Sequence, residues 1–189
     1  MAVLTEEQTL IKDQATAWAK DKAPVSSFRA LRDSKSEQAF LPETWSAMVD
    51  MGWSGILVPE QYGGSDLGYL TCGLILEQLG RQLTASPLFS SSLVGASALM
   101  LAGNIAQQEA LLPSIVDGSA LVTLALDESS RHQPEQTACR AEQTGDGFCL
   151  SGKKTFVAEG MSATHYLVAA RTSGHPGDAQ GISLFIVPA

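Results

Sequence analysis

The chain has 189 residues, of which 44% are hydrophobic and 17% are charged, so it is long enough to bury one sizeable core or two small ones. Its net charge of −8 argues against a nucleic-acid partner, because an acidic chain lacks the basic field that releases counterions from phosphates. Charges come too early for a signal peptide, and no apolar run approaches the roughly 18 residues of a membrane span. We therefore expect a cytoplasmic protein with no membrane partner.

Cysteines and histidines are few and scattered. The odd cysteine count, with no C-x-x-C pair, fits a reducing compartment better than a disulfide framework; the cysteines are Cys72, Cys139 and Cys149. No histidine pair has the spacing of metal ligands, so we predict no metal site; the histidines are His132, His165 and His175.

The first half of the chain carries helix signals. Thr5 and Gln8 have the spacing of a capping box, in which two side chains satisfy two free backbone N–H groups, and the apolar residues behind them repeat at helical intervals. Four further helices are predicted from apolar spacing and end signals: one from Pro42 to a stop at Gly52, one through Leu70, Leu74 and Leu79 to Gly80, one from Leu88 to Leu101 with a stop at Gly103, and one from Asn104 towards Gly118.

Near Gly118 the composition changes to short runs rich in β-branched residues. Five strands are predicted, over residues 120–126, 137–143, 148–157, 166–170 and 182–187. We predict an α+β protein, with an N-terminal all-α helical domain over residues 1–117 and a partial antiparallel β-barrel or sheet domain over residues 118–189. So small a sheet has open edges, and we expect more chain or a partner to cover them.

Several motifs resemble the acyl-CoA dehydrogenase family. The segment G-W-S-G-I-L-V-P-E-Q-Y-G-G, from Gly52, and L-E-Q-L-G, ending at Gly80, resemble the family's G-x-x-x-x-x-x-P-E-x-Y-G-G segment and E-x-L-G helix end. The segment L-S-G-K-K-T-F-V-A-E-G, from Leu150, is similar to the family's L-N-G-x-K-x-W-I-T-N-G strand, and the run from Tyr166 is similar to the strand that follows. The resemblance covers nearly the whole chain. It implies an oligomeric, FAD-dependent oxidoreductase of lipid or steroid metabolism that dehydrogenates an acyl-CoA thioester between its α and β carbons.

The resemblance also implies site residues and departures from them. Phe156 corresponds to the family's flavin-facing aromatic, and Ala158 stands where a Thr hydroxyl would bond the flavin's polar edge. The family's second flavin segment, A-x-T-E-P-x-x-G-S-D, is replaced by A-L-D-E-S-S-R-H, which puts Asp127 in place of Thr and omits the G-S-D turn. A carboxylate there would repel a flavin that gains negative charge on reduction, so we expect an eroded site. Implied flavin-binding residues are Leu124, Leu126, Asp127, Phe156 and Ala158; implied acyl-chain contacts are Tyr62 and Gly63.

These residues also have plainer interpretations. Phe156 is then a core residue of an ordinary strand, whereas in the flavin interpretation strand alternation places Phe156 and Ala158 on the face towards the flavin and Val157 inside the barrel. The polar neighbours are then solvated turn residues, and Tyr62-Gly63-Gly64 is a simple turn. The solvated set comprises Asp127 and Glu128, together with Lys153 and Lys154 at a hairpin corner.

Three functions remain open. The chain is part of an acyl-CoA dehydrogenase, a non-catalytic partner subunit of a heteromeric dehydrogenase, or a separate module that binds acyl-CoA or protein. The eroded flavin segment favours the partner subunit. In the family, a Glu on a further helical domain removes the α-proton, and no carboxylate of this chain matches it. We therefore name no catalytic residue and predict that this chain alone is inactive.

Overall fold

A computed structural model describes residues 3–35, 37 and 39–189. The chain forms two compact units, which divide between Leu121 and Val122. The first is helical and the second is built on a sheet, so the predicted fold class is confirmed. None of the helices formed by the described residues is both long enough and apolar enough to cross a bilayer.

The helices of the first unit begin and end close to the predicted signals. Their bounds are α1 Glu6–Lys22, α2 Val25–Ser34, α3 Pro42–Asp50, α4 Gly68–Arg81, α5 Ala96–Ala102 and α6 Ile105–Val116, with a 3₁₀ turn at Glu60–Tyr62 and a π-helical segment at Leu88–Gly95.

Two capping boxes start helices, both where the sequence predicts a start. At α1, the Thr5 hydroxyl accepts from the Gln8 N–H and the Gln8 amide oxygen accepts from the Thr5 N–H, each at 3.1 Å. Asn104 and Gln107 make the same reciprocal pair at α6, with both distances 2.9 Å. Each pair satisfies two backbone donors that the first turn would leave free.

Three helical features differ from the prediction. Helix α2 was not predicted, because its start lacks the capping side chain that marks α1 and α6; none of its residues is fully buried. The helix expected from Leu88 is instead a π-helical segment that continues into α5. Pro113 lies inside the last turn of α6, where its missing N–H removes only one helical hydrogen bond.

An apolar core holds the first unit together. Its buried members come from α1, α3, α4, the π-helical segment and the chain on either side of α3, and partly buried side chains such as Ile11 and Leu93 pack against them. The buried set includes Ala15, Ala19, Trp45, Met48, Trp53, Ile56, Cys72, Ile75, Leu79 and Leu88.

The second unit is an open mixed sheet rather than the antiparallel one predicted. Its strands are β1 Val122–Ala125, β2 Arg140–Thr144, β3 Gly147–Ser151, β4 His165–Arg171 and β5 Ile182–Pro188. The central strand β4 pairs parallel with β1 and antiparallel with β5, while β2 and β3 form an antiparallel hairpin that meets β4 in parallel at one residue pair, Arg140 opposite Arg171. The long connection between β1 and β4, which contains the hairpin, permits the parallel pairing.

Candidate functional site

The structure brings together two of the segments that the sequence nominates for a flavin. The backbone N–H of Thr155 donates to the carbonyl of Asp127 at 2.7 Å, and Lys154 Nζ donates to the carbonyl of Leu126 at 3.0 Å. Further along, the hydroxyl of Thr123 donates to the carbonyl of Ala158 at 2.7 Å. The end of β1 and the segment 152–160 therefore lie side by side.

The prediction that residues 152–157 continue a strand is wrong. Strand β3 ends at Ser151, and the following residues form no ladder with a neighbouring strand. Phe156 has φ of 53° and Glu159 has φ of 46°, left-handed conformations that interrupt any extended run. The alternation that would turn Val157 into a barrel therefore does not apply, because it requires an extended backbone.

Phe156 projects into solvent, so its interpretation as a core residue is wrong. Its surface is 79% exposed, although left-handed backbone is costly for a side chain of this size. Ala158 is also exposed, whereas Leu124, Leu126 and Asp127 are half-buried. The arrangement presents a free aromatic face beside a partly apolar strand end.

Asp127 has a hydrogen-bond partner that the sequence did not reveal. One carboxylate oxygen lies 2.9 Å from Nδ1 of His132, so the two form an ion pair whenever the imidazole is protonated. The Asp127 side chain is 28% exposed. The carboxylate expected to repel a flavin is therefore partly exposed to solvent and held by a hydrogen bond to His132.

Glu128 and Lys154 are structural residues rather than solvated ones. The Glu128 carboxylate accepts from Lys154 Nζ at 2.7 Å and from the backbone N–H groups of Ala138 at 2.8 Å and Cys139 at 2.9 Å. Burial by itself would raise the pKa of Glu128, but these hydrogen bonds outweigh it and hold the pKa below its ordinary value. The Lys154 side chain is only 9% exposed, which contradicts its placement at a solvated hairpin corner.

Arg171 is a buried cation that the sequence interpretation missed. It is 1% exposed, and its guanidinium donates to four backbone carbonyls at 2.8–3.2 Å, those of Glu135, Thr137, Asp178 and Gln180. These carbonyls belong to two loops, so one side chain ties both to the end of β4. Arg171 follows the strand predicted over residues 166–170, where an arginine is expected to be exposed to solvent. Its role becomes visible only from its contacts with residues distant in the sequence.

The segments around Phe156 offer apolar surface but few free hydrogen-bonding groups. Phe156 and the half-buried Leu124 and Leu126 supply apolar surface for a flat ring. The hydroxyls of Thr123 and Thr155 are directed at backbone carbonyls, and Ala158 has none to offer. Flavin binding by the five nominated residues stays a prediction. Among the described residues, no three potential metal ligands lie together.

Tyr62 and Gly63 lie in the helical unit, in a turn with strict backbone requirements. The Tyr62 hydroxyl donates to the amide oxygen of Gln108 in α6 at 3.1 Å, and Gly63 has φ of 87°. A Cβ on Gly64 would overlap the carbonyl of Val58, so the second glycine is needed for close packing. The turn interpretation is thus confirmed, while the acyl-chain contact of Tyr62 and Gly63 stays a prediction.

Comparison with known proteins gives a consistent result. Residues 5–119 match the family model described as "Acyl-CoA dehydrogenase, N-terminal domain". The chain is 35% identical to acyl-CoA dehydrogenase FadE27 of Mycobacterium tuberculosis over 82% of this chain and 39% of that protein. It is 30% identical to mitochondrial isovaleryl-CoA dehydrogenase of Pongo abelii over 97% of this chain and 44% of that protein. The chain therefore spans less than half the length of these relatives.

Solved structures match over almost the whole chain. The "Tcur3481-Tcur3483 steroid ACAD G363A variant" aligns with a TM-score of 0.83 and 34% identity, covering 97% of this chain and 48% of that one. The ChsE4-ChsE5 complex from Mycobacterium tuberculosis aligns with a TM-score of 0.84 and 30% identity, covering 100% of this chain and 49% of that one.

Proposed function

Because the chain belongs to the acyl-CoA dehydrogenase family, we propose that it is part of an FAD-dependent dehydrogenase that forms a double bond between the α and β carbons of an acyl-CoA thioester. The observation that carries the proposal is the joining of the β1 end to segment 152–160, with Phe156 left exposed beside it. FAD, when bound, would accept the two electrons removed from the substrate. An exposed aromatic held in left-handed backbone is the kind of strained feature that functional sites retain.

Each nominated residue has a defined role in this proposal. Phe156 contacts one face or edge of the flavin ring, and Leu124 and Leu126 contribute apolar surface. Asp127, hydrogen-bonded to His132, and Ala158 lie at the ring's polar side. In the helical unit, the turn at Tyr62 and Gly63 contacts the acyl chain.

The test is a titration of FAD into the purified chain and its variants, followed by flavin fluorescence. Phe156→Ala is expected to weaken FAD binding by about tenfold, since one aromatic contact is removed. Phe148→Ala is the matched control, because Phe148 is another exposed phenylalanine of the same unit, 50% exposed and packed on Phe185. Equal affinities for wild type and Phe156→Ala would contradict the assignment of Phe156.

A second candidate is a non-catalytic partner subunit in a heteromeric dehydrogenase. It is favoured by Asp127 and Ala158, which replace the two hydroxyl-bearing residues of the family's flavin segments. Two structural neighbours bear titles naming two-component assemblies, Tcur3481-Tcur3483 and ChsE4-ChsE5. A subunit relieved of flavin chemistry has no need of either hydroxyl.

Restoring the hydroxyls separates the two candidates. Ala158→Thr is expected to tighten FAD by about tenfold at most, the value of one hydrogen bond. Asp127→Thr is expected to help more, because it also removes a negative charge. Wild type that binds FAD, with the affinity raised by either change, favours the catalytic portion, whereas an affinity that neither change alters favours the partner subunit. Wild type that binds no FAD, with binding restored in the double variant, favours the partner subunit.

A further inference from the structure

Strand β5 lies at an open edge of the sheet unit. Its seven residues all pair with β4, and no other strand formed by the described residues pairs with β5. None of the seven is charged, and Leu184 near the middle is 43% exposed. Natural edge strands are usually short, charged, bulged or interrupted by proline, because a free edge otherwise attracts another strand. Apart from its last residue, Pro188, β5 has none of these protections.

The hydrogen bonds at the two ends of β5 show which of its backbone groups face away from the sheet. The Thr172 N–H donates to the Gly181 carbonyl at 2.8 Å, and the Ala189 N–H donates to the Thr164 carbonyl at 2.9 Å. Hydrogen-bonded and non-hydrogen-bonded positions alternate in an antiparallel pair, so the odd-numbered residues from 181 to 189 direct their backbone groups towards β4. The even-numbered residues direct theirs outwards; they are Ile182, Leu184, Ile186 and Pro188.

The proline of β5 occupies one of these outward positions. Pro188 has no backbone N–H, and at an outward position this removes no hydrogen bond to β4. The outward edge therefore offers the carbonyls of all four outward residues but the N–H groups of only three, Ile182, Leu184 and Ile186. A strand that pairs with this edge has to supply donors and acceptors at the same spacing.

We propose that the outward edge of β5 pairs in antiparallel orientation with the same edge of a second copy of this chain. A twofold axis at Phe185 sets Leu184 opposite Ile186 of the copy, and these two residues exchange both of their hydrogen bonds. The same axis sets Ile182 opposite Pro188, whose carbonyl accepts from the Ile182 N–H. Outward groups therefore meet outward groups along the whole strand.

The charges of the chain favour this occupant and predict how salt affects it. Because β5 is uncharged, pairing with itself places no like charges opposite each other, and Leu184 and Ile186 meet on one face as apolar neighbours. A net charge of −8 makes two copies repel each other at long range, and salt screens that repulsion. We therefore expect the dimer to tighten as salt is added, whereas a complex with a basic partner would weaken.

The first experiment measures association of the purified chain by sedimentation velocity over a wide range of protein concentrations, at low and at high salt. We expect a reversible equilibrium between monomer and dimer that shifts towards the dimer with rising concentration and rising salt. A chain that stays monomeric under all these conditions overturns the proposal, and so does a dimer that salt dissociates.

Amide hydrogen exchange in the wild-type chain locates the interface. The outward N–H groups are expected to exchange slowly only in samples where the dimer predominates, because the copy then covers them. The inward N–H groups donate to β4 and are expected to be protected in monomer and dimer alike; they belong to Ser183, Phe185 and Val187. A dimer whose outward N–H groups still exchange rapidly forms through another surface and refutes the proposal.

A substitution in β5 and a matched control test the same pairing. Leu184→Lys brings two like charges together beside the twofold axis, and it is expected to weaken the dimer by about tenfold or more. Leu101→Lys changes the net charge equally at an 82% exposed leucine of the helical unit, and it is expected to keep the wild-type affinity. Equal weakening by both variants would contradict pairing through β5. Neither leucine belongs to the proposed flavin wall, so failure of the flavin proposal leaves this result unchanged.

Discussion

The two units of this chain are stabilised by different kinds of interaction. In the helical unit, a continuous set of fully buried apolar side chains lies between the helices, and charged residues stay on the surface. In the sheet unit, one small buried apolar cluster comprises Cys139, Ala141 and Ala170 with partly buried neighbours, and Val122, Ala125, Leu167 and Ala169 are buried as well. There the largest buried side chain is Arg171, and Glu128 with Lys154 closes the base of a loop.

The difference predicts opposite sensitivities. Removing methylene groups should weaken the helical unit, because its stability comes from apolar area and close packing. Removing a buried charge should weaken the sheet unit, because hydrogen-bonded carbonyls and a counter-ion would lose their partners.

The two units can be followed separately in one sample. All three tryptophans, Trp18, Trp45 and Trp53, lie in the helical unit, so their fluorescence reports on that unit alone. Cys139 is buried in the sheet unit and Cys149 is exposed there, so protection of Cys139 from a thiol reagent reports on the sheet. Cys72, whose pKa burial raises to about 11, provides the same measure for the helices.

The largest effect is expected for Arg171→Leu. Four backbone carbonyls would lose their donor and the buried cation that joins two loops would be absent, so the free energy of unfolding of the sheet unit should fall by about 4 kcal/mol. Cys139 should become reactive while the tryptophan transition keeps its midpoint. Arg140→Leu, an exposed arginine opposite Arg171 in the sheet, is the control and should cost less than about 0.5 kcal/mol. A protected Cys139 in Arg171→Leu would show that the buried cation is dispensable.

Ile75→Ala tests the helical unit. Ile75 is fully buried, and truncation should cost about 3 kcal/mol, seen as an earlier tryptophan transition with Cys139 still protected. Leu70→Ala on the same helix is the control, since Leu70 is 48% exposed and should tolerate the change. If both variants shift the midpoint of the tryptophan transition equally, burial in α4 does not explain the loss of stability.

Glu128→Gln is expected to destabilise the sheet unit by about 2 kcal/mol at neutral pH, because Lys154 loses its counter-charge. The folded-state pKa of Glu128 lies below its ordinary value of 4.5. The unfolded chain therefore binds the proton more readily, and the stabilisation is present above the unfolded pKa and lost as pH falls through the folded pKa. Protection of Cys139 should thus differ between wild type and variant at pH 7 and converge in acid. A difference that persists unchanged in acid would rule out the ionised carboxylate as its cause.

The smallest effect on stability is expected for Phe156→Gly. The exposed ring contributes little burial, and glycine accepts the left-handed backbone at no steric cost, so stability should stay within about 1 kcal/mol of wild type or rise. Phe148→Gly, in the middle of β3, should instead destabilise the hairpin by about 1 kcal/mol. Clear destabilisation by Phe156→Gly would mean that the ring packs more than its exposure indicates.

The sequence predicts which segments form much of the candidate site, but it does not predict their backbone conformation or their contacts. The motif around Phe156 pointed to the segment that the structure places beside the end of β1. The same motif suggested a strand, which the left-handed Phe156 and Glu159 rule out. The pairing of Asp127 with His132 was missed, because nothing in adjacent sequence marks a histidine five residues on as a partner.

Signals between neighbouring residues are enough to predict several elements of this chain. The capping boxes at Thr5 and Asn104 and the order of helices before strands depend on residues three or four apart, which meet in any helix. The mixed sheet and the burial of Arg171 depend instead on contacts between segments that are distant in the sequence. The guanidinium of Arg171 binds a carbonyl 34 residues away, and β1 pairs with β4 across an intervening hairpin. Such contacts form only when distant segments meet, so the pattern of neighbouring residues in the sequence does not predict them.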